Sequence, residues 1–279
     1  MTDLRPRLSG RVAIVTGAGS RGAGIGNGRA VAILFARHGA KVALLDIDRR
    51  SAEETAGTID REGGVCMVVP CDVTDEAACG TAVEKTVAAW GRLDVLVNNV
   101  GVTGPPGTAA EVDAGAWDEA LRTNVTSMML MAKHAIPPMR EGGGGSIVNI
   151  SSLAGLLGGH PALLYPTSKA AVIGLTRAMA AHHGREGIRV NCVAPGAVTT
   201  PMVEARGLTP ELRAARLQQT LLGTEGSAWD TAHAVLYLAS DESRWVTGAV
   251  LPVDAGATAA IVDLPVVPLD GIDDGGRGA

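Results

Sequence analysis

Short runs of β-branched and other apolar residues alternate along this chain with longer, Ala-rich stretches of helical period. That alternation restricts the fold more than any other feature. The apolar runs are Val12–Thr16, Lys41–Asp46, Val65–Pro70, Leu93–Asn98, Gly145–Ser151, Ile188–Ala194 and Ala249–Val253. Most are continuously apolar (Val-Ala-Ile-Val, Val-Ala-Leu-Leu), as parallel strands covered on both faces must be. The spacing between them predicts helices over 28–38, 49–62, 75–89, 115–139, 166–183 and 226–240. Parallel strands need crossover connections, so the pattern specifies an α/β fold: one doubly wound parallel sheet of about seven strands with helices on both faces. With no composition break before about residue 257 and no internal repeat, residues 1–261 are expected to form a single domain. The tail 262–279 carries Pro, Gly and Asp without period, and is expected to be mobile or to pack across a subunit interface.

Composition narrows the function classes. Only 3% of the 279 residues are aromatic while 46% are hydrophobic, so the core must be built from Ala, Val, Leu and Ile. A formal charge of −5 gives no electrostatic reason to expect nucleic acid or an anionic membrane as partner. No apolar run approaches the roughly 20 residues of a membrane-spanning helix, and Met1–Gly10 has no apolar leader segment. A cytoplasmic protein is expected. Cys66, Cys71, Cys79 and Cys192 form no CxxC pair and have no His at ligand spacing, so they read as buried thiols and no metal site is expected.

The first run ends in Thr16-Gly17 and leads through Ala18-Gly19-Ser20-Arg21-Gly22-Ala23-Gly24-Ile25-Gly26-Asn27-Gly28 into a helical stretch. Glycines between a strand and a helix permit a tight turn and let the backbone approach a pyrophosphate seated on the helix N-terminus. The second run ends at Asp46, within about 20 residues of these glycines, where a carboxylate accepts hydrogen bonds from the adenosine ribose and repels a 2′-phosphate. This favours NAD over NADP. Arg21 is the complication, because a guanidinium in the loop could pair with a 2′-phosphate.

Farther along stand Cys71-Asp72-Val73, Asn98-Asn99-Val100-Gly101, Asn124, Ser152, Tyr165-Pro166-Thr167-Ser168-Lys169 and Pro195-Gly196. Together with the glycine loop, over residues 10 to 256, this set resembles the short-chain dehydrogenase/reductase family, which implies a Rossmann-type sheet. Free tyrosine has a pKa of about 10, too high for an efficient base at neutral pH. An ammonium four residues on, one helical turn along the same face, stabilises the ionised phenol. The resemblance implies Tyr165 as the proton acceptor from an alcohol or donor to a ketone. It implies Lys169 as its electrostatic partner and holder of the nicotinamide ribose. Ser152 would donate to the reacting oxygen, and Asn124 would anchor a water linking Lys169 to solvent.

The remaining family positions fall on Gly17, Ser20, Gly26, Asn27 and Gly28 at the phosphates, and on Asp46 with the neighbouring Ile47 at the adenosine ribose. Asp72 and Val73 fall at the adenine, Asn99 and Gly101 beside the ribose, and Pro195, Gly196, Val198 and Thr200 at the carboxamide. Homotetramers built through helices 115–139 and 166–183 are also implied.

The glycine loop departs from the family pattern Thr-Gly-x-x-x-Gly-x-Gly. Its closing Gly-x-Gly comes late, with frames ending at Gly26 or Gly28, and the second puts Arg29-Ala30-Val31-Ala32 at the helix start. Val100 stands where the family usually has Ala. The substrate is expected over the nicotinamide, between 153–164 and 201–222, with Leu153, His160, Leu164, Met202 and Arg206 as candidate contacts. An apolar pocket for an alicyclic or hydrophobic secondary alcohol is the leading reading. An NADPH-linked reductase of 3-oxoacyl type, or another carbonyl reductase, is the alternative, against which Asp46 argues. A non-catalytic dinucleotide sensor on the same fold is the alternative of another class.

Overall fold

The first apolar run, Val12–Thr16, is wholly buried, and its side chains divide between two cores. Ala13 and Val15 enter one, Val12 and Ile14 the other. Pleating sends successive side chains to opposite faces, so a strand apolar on both needs a layer over each. The computed structural model describes residues 6–204, 207 and 209–259.

In chain order the elements are β1 (Val12–Thr16), α1 (Asn27–Arg37), β2 (Lys41–Asp46), α2 (Arg49–Arg61), β3 (Val65–Pro70), α3 (Glu76–Trp90), β4 (Val95–Asn98) and α4 (Ala114–Leu121). A π-helical turn, Arg122–Thr126, joins α4 to α5 (Ser127–Glu141), and then come β5 (Gly145–Ile150), α6 (Leu164–His183), β6 (Ile188–Pro195) and β7 (Val198–Thr199). The chain continues through α7 (Pro201–Glu204), α8 (Pro210–Gln218), β8 (Gly226–Ser227), α9 (Ala228–Ala239) and β9 (Val250–Val253). Seven strands form one sheet in the order β3-β2-β1-β4-β5-β6-β9, every pair parallel, while β7 and β8 pair separately. Helices α1, α2 and α9 cover one face; α3, α5 and α6 cover the other.

Helix starts follow the sequence. Asp48 caps α2 by accepting from Ser51 N–H, Asp75 caps α3, and Asp113 caps α4. By contrast α1 begins behind Gly26 with no side-chain cap, so its first-turn amides remain available to a ligand. Burial pushes the Cys192 thiol up to about 11, and all four cysteines are unpaired.

Three local features differ from the sequence reading. Pairing in β4 begins at Val95 rather than Leu93, because the Val12 amide donates to the Asp94 carboxylate (2.8 Å) where a strand carbonyl would stand. The stretch 115–139 is not one helix but two, parted by the π-turn around Asn124. Periodicity does not reveal the short helices α7 and α8, of which α7 brings Pro201 and Val203 to the cleft lining. Among the described residues no helix is long and apolar enough to cross a membrane. The tail 262–279 and the last residues of the expected domain lie outside the described residues.

Candidate active site

The strand order turns back between β1 and β4, and there, beyond their carboxyl ends, a cleft of about 540 Å³ opens. Such a switch point is where open α/β sheets bind ligands, since crossovers leaving in opposite directions part the loops.

At its floor the backbone must come close to itself. Gly17 adopts the left-handed conformation (φ +61°), and a Cβ on Gly28 would lie 2.0 Å from the Gly17 carbonyl oxygen and 2.5 Å from Asn99 Nδ2. No side chain fits there. With Gly26 as N-cap, the uncapped start of α1 faces the cleft, whose lining includes Gly17, Ser20, Gly26, Asn27 and Gly28. Ser20 Oγ and Asn27 Oδ1 are buried and have no partner among the described residues. An unsatisfied hydroxyl beside free amides at a helix N-terminus suits a diphosphate, so this end fits a dinucleotide.

Asp46, at the tip of β2, lines the same cleft, accepting from Gly19 N–H (2.9 Å) through Oδ2 and from Asp48 N–H (3.0 Å) through Oδ1. Its neighbour Ile47 is 73% exposed on the rim. The adjoining wall holds Asp72 and Val73. Asp72 Oδ1 accepts from the Thr74 amide and hydroxyl (2.9 and 2.7 Å), and Val73 is buried. Asn99 clamps β4 to the glycine loop, its Nδ2 donating to the carbonyls of Thr16 and Gly17 (both 3.1 Å). Gly101 is pressed to the other polar group: a Cβ there would lie 3.2 Å from Lys169 Nζ and 3.5 Å from Asn124 Oδ1.

At the far end Ser152, Tyr165 and Lys169 line the cleft together. Ser152 follows β5 and caps a short 3-10 turn, its Oγ accepting from Ala154 N–H (3.2 Å) and keeping its own proton to donate. Tyr165 and Lys169 share a face of α6, with Nζ 5.8 Å from the Tyr165 ring centroid. The ammonium is buried and donates to Ile150 O (3.0 Å). Asn124 lies behind this group and does not line the cleft. Its Oδ1 accepts from Val102 N–H (2.7 Å), while Nδ2 donates to Val102 O (2.8 Å) and Ser168 Oγ (2.9 Å). Ser168 in turn donates to Tyr165 O (2.9 Å), so Asn124 braces the first turn of α6.

Pro195, Gly196, Val198 and Thr200 form the remaining side. A Cβ on Gly196 would meet Asp254 at 2.5 Å, and the Gly196 amide donates to Val253 O (2.9 Å), pinning this segment to β9.

The candidate substrate contacts are less gathered. Leu164 is fully buried against Gly104 and Ala120 and is absent from the cleft lining, because the first turn of α6 turns it inward. Leu153 heads the 3-10 turn, also off the lining. His160 tilts over Tyr165 with ring centroids 5.1 Å apart and its Nδ1 against the backbone of Ala162. Arg206 and the side chain of Met202 lie outside the described residues. Position in the loops was readable from sequence, but not the direction each side chain takes.

Sequence reasoning missed residues that hold the site's backbone in place, one of which, Ser51, also lines the cleft. Ser51 Oγ accepts from Ser20 N–H (2.6 Å) and donates to Ser20 O (2.9 Å). Thr16 Oγ1 donates to Val97 O (3.2 Å) and accepts from Asn99 N–H (2.9 Å). Neither carries a local signal, since each partner comes from a distant part of the chain. Ser168, one helical turn from Tyr165, could have been found by spacing.

Comparison with known proteins agrees with this geometry. A family model described as Enoyl-(Acyl carrier protein) reductase matches residues 21–258. The chain is 40% identical over 255 residues to a protein of Sinorhizobium fredii named a short-chain type dehydrogenase/reductase, covering 89% of this chain and 98% of that one. It is 39% identical over 249 residues to cis-4-hydroxycyclohexanecarboxylate dehydrogenase of Sinomonas cyclohexanicum (89% and 97% covered). Among solved structures, a 7 alpha-hydroxysteroid dehydrogenase complexed with NADH and 7-oxo glycochenodeoxycholic acid superposes with a TM-score of 0.84 at 35% identity, covering 90% of this chain and 96% of that one. The chain belongs to the short-chain dehydrogenase/reductase family, oxidoreductases that act on CH–OH groups.

Proposed function

We propose that this protein is an NAD-linked dehydrogenase that interconverts a secondary alcohol, alicyclic or otherwise hydrophobic, with its ketone, using Tyr165 as general acid/base. One observation carries the reading: a single cleft runs from the Asp46 carboxylate, past the uncapped start of α1, to Ser152, Tyr165 and Lys169.

The glycine cradle and first-turn amides of α1 would hold the diphosphate, and Asp46 the adenosine ribose; the nicotinamide, when bound, supplies the hydride chemistry. Tyr165 takes the hydroxyl proton as the alcohol is oxidised and returns it in reduction. The Lys169 ammonium, fixed by Ile150 O, stabilises negative charge at the phenol and binds the nicotinamide ribose. Ser152 donates to the substrate oxygen and offsets charge developing there. Asn124 keeps the first turn of α6 in place through Ser168. An Asp46 carboxylate repels a 2′-phosphate, which supports NAD over NADP.

Leu156 and Leu157, exposed just after the 3-10 turn that Ser152 caps, though not part of the cleft lining, are the apolar side chains that favour a hydrophobic substrate. The relatives named as dehydrogenases of a hydroxycyclohexane carboxylate and of a 7 alpha-hydroxysteroid point to alicyclic alcohols. A homotetramer assembled through α5 and α6 belongs to the same reading.

The test is the growth of reduced-nicotinamide absorbance with NAD or NADP against cyclic, aromatic, aliphatic, sugar and steroid alcohols, with a 3-oxoacyl thioester plus NADPH in the reverse direction. Preferred turnover of cyclic secondary alcohols with NAD supports the proposal. Faster reduction of the thioester with NADPH would replace it with a biosynthetic reductase.

A further inference from the structure

Two short strands lie apart from the main sheet, and they hold the stretch of chain that forms the last side of the cleft. In β7 and β8 Val198 stands beside Gly226 and Thr199 beside Ser227, and the Gly226 amide donates to Ala197 O (3.1 Å). Val198 and Thr200 line the cleft here, with Pro195 and Gly196 just before them. The start of the stretch is pinned to β9 through the Gly196 amide. Its other end has only the short β7–β8 ladder, and a pair of strands with no third neighbour is a slight clamp.

A second clamp comes from α8. This helix buries none of its residues, yet two of its arginines reach Glu225, the residue before β8. Arg213 Nη1 lies 3.4 Å from Glu225 Oε2, and Arg216 Nε lies 3.7 Å from Oε1. The Glu225 side chain is only 14% exposed and that of Arg216 26%, so neither is a fully solvated surface charge. Arg216 Nε and Glu225 Oε1 are both buried and have no hydrogen-bond partner among the described residues, so each answers the other by charge alone. The same guanidinium then donates through Nη2 to Val198 O (3.2 Å). Its rigid fork of donors lets one side chain tie α8, Glu225 and the backbone of a cleft-lining residue together.

We infer that Arg216 is a positioning residue for the reaction: backed by Glu225, it fixes the Val198 carbonyl, and with it the segment against which the nicotinamide is held. The inference rests on the dinucleotide reading of the cleft. Arg216 does not itself line the cleft, so it acts through Val198 and not on cofactor or substrate. Misplacing reacting groups by about 1 Å can cost about 10² in rate, so loosening this segment shows in turnover before it shows in the fold.

The experiment is calorimetric titration of the full chain and of R216A, R216K and E225Q with NAD and ADP-ribose, which lacks the nicotinamide. Steady-state kinetics on an uncharged cyclic secondary alcohol, and on one bearing a carboxylate, accompany it. R216A is expected to weaken NAD by about tenfold, the scale of one charge-assisted hydrogen bond, and to leave ADP-ribose within about twofold. It should lower kcat by about tenfold on both alcohols. Glu225 keeps Arg213 in that variant, so no carboxylate is stranded. R216K retains one donor and should recover part of both losses, and E225Q should move the same readouts the same way by less. Equal loss of NAD and ADP-ribose would overturn the inference and reduce Arg216 to a support of the fold. Unchanged values throughout would overturn it as well, leaving the dinucleotide reading intact. A rise in KM confined to the carboxylate-bearing alcohol would also overturn it, making Arg216 a substrate contact. If the parent binds neither NAD nor ADP-ribose, the reading and the inference fall together.

Discussion

Replacing Gly28 with alanine is a sharp test of how the site is built. The added methyl would stand 2.0 Å from the Gly17 carbonyl oxygen, and ordinary contact begins at 3.4 Å, so about 1.4 Å of movement is required. The nearest atoms are backbone and a clamped amide, not the end of a flexible side chain. Either the start of α1 lifts from β1 or the turn at Gly17 opens. Overpacking of this kind costs about 1–3 kcal/mol. The shift also disturbs the two Asn99 Nδ2 hydrogen bonds to Thr16 and Gly17, worth about 1 kcal/mol each. Against these, alanine gains about 1 kcal/mol over glycine in a helix.

The balance is a loss of about 3 kcal/mol, which lowers Tm by about 6–10 °C in a chain of this size. NAD affinity should fall by about tenfold or more, because the displaced amides are the ones proposed to hold the diphosphate. The control is Gly57→Ala in α2, where a Cβ meets only Arg61 Nη1 at 3.6 Å, and a gain of up to about 1 kcal/mol is expected. Urea unfolding of both variants and NAD calorimetry on the folded proteins measure these effects. A G28A protein as stable as the parent, binding NAD equally well, would refute the close-approach argument.

Other outcomes follow from single contacts. Asp46→Ala should weaken NAD by about 10–100-fold and narrow the preference over NADP, as measured by calorimetry with both nucleotides. Asp230 accepts from the Ser227 amide (2.7 Å) and hydroxyl (2.8 Å) at the start of α9, and the amide hydrogen bond above all holds its carboxyl below the usual 3.8. A depressed folded-state value means stabilisation that is present above pH 3.8 and lost as pH falls through the lower folded value. Asp230→Ala should therefore cost about 0.5–1 kcal/mol at pH 7, scaled down for exposure, and the gap from the parent should close in acid. Urea melts across pH read this directly.

Much of the fold was legible because most strands of the main sheet are nearly continuous apolar runs, only β5 and β6 carrying polar residues (Ser146, Asn149, Arg189, Asn191) inside them, and the Asp48 and Asp75 caps mark helix starts. The break at Arg122–Thr126 was not. Its residues keep helical spacing, and the extra residue of a π-turn leaves no mark on that pattern. Helix α8 buries none of its residues, so it has no apolar stripe to read, although Thr209-Pro210 is an N-cap and first-turn signal.

At the site, the chemistry-bearing side chains declare themselves by type and spacing, as Tyr165 and Lys169 do. Their supports do not: Ser51 and Thr16 act through partners far along the chain, which only the folded sheet brings near. The wall expected from Leu153 and Leu164 shows the same limit. A loop's sequence names its apolar residues without saying that Leu164 turns inward against Gly104.

The central claim, that Tyr165 moves the alcohol proton in an NAD-bound site, is tested most directly by Tyr165→Phe. The substitution removes only the phenolic oxygen. Calorimetry should find NAD affinity within about twofold of the parent, while turnover of the best cyclic alcohol falls by about 10²–10⁴, the range a positioned acid/base contributes. A Phe variant that still oxidises the alcohol at the parent rate would contradict the account.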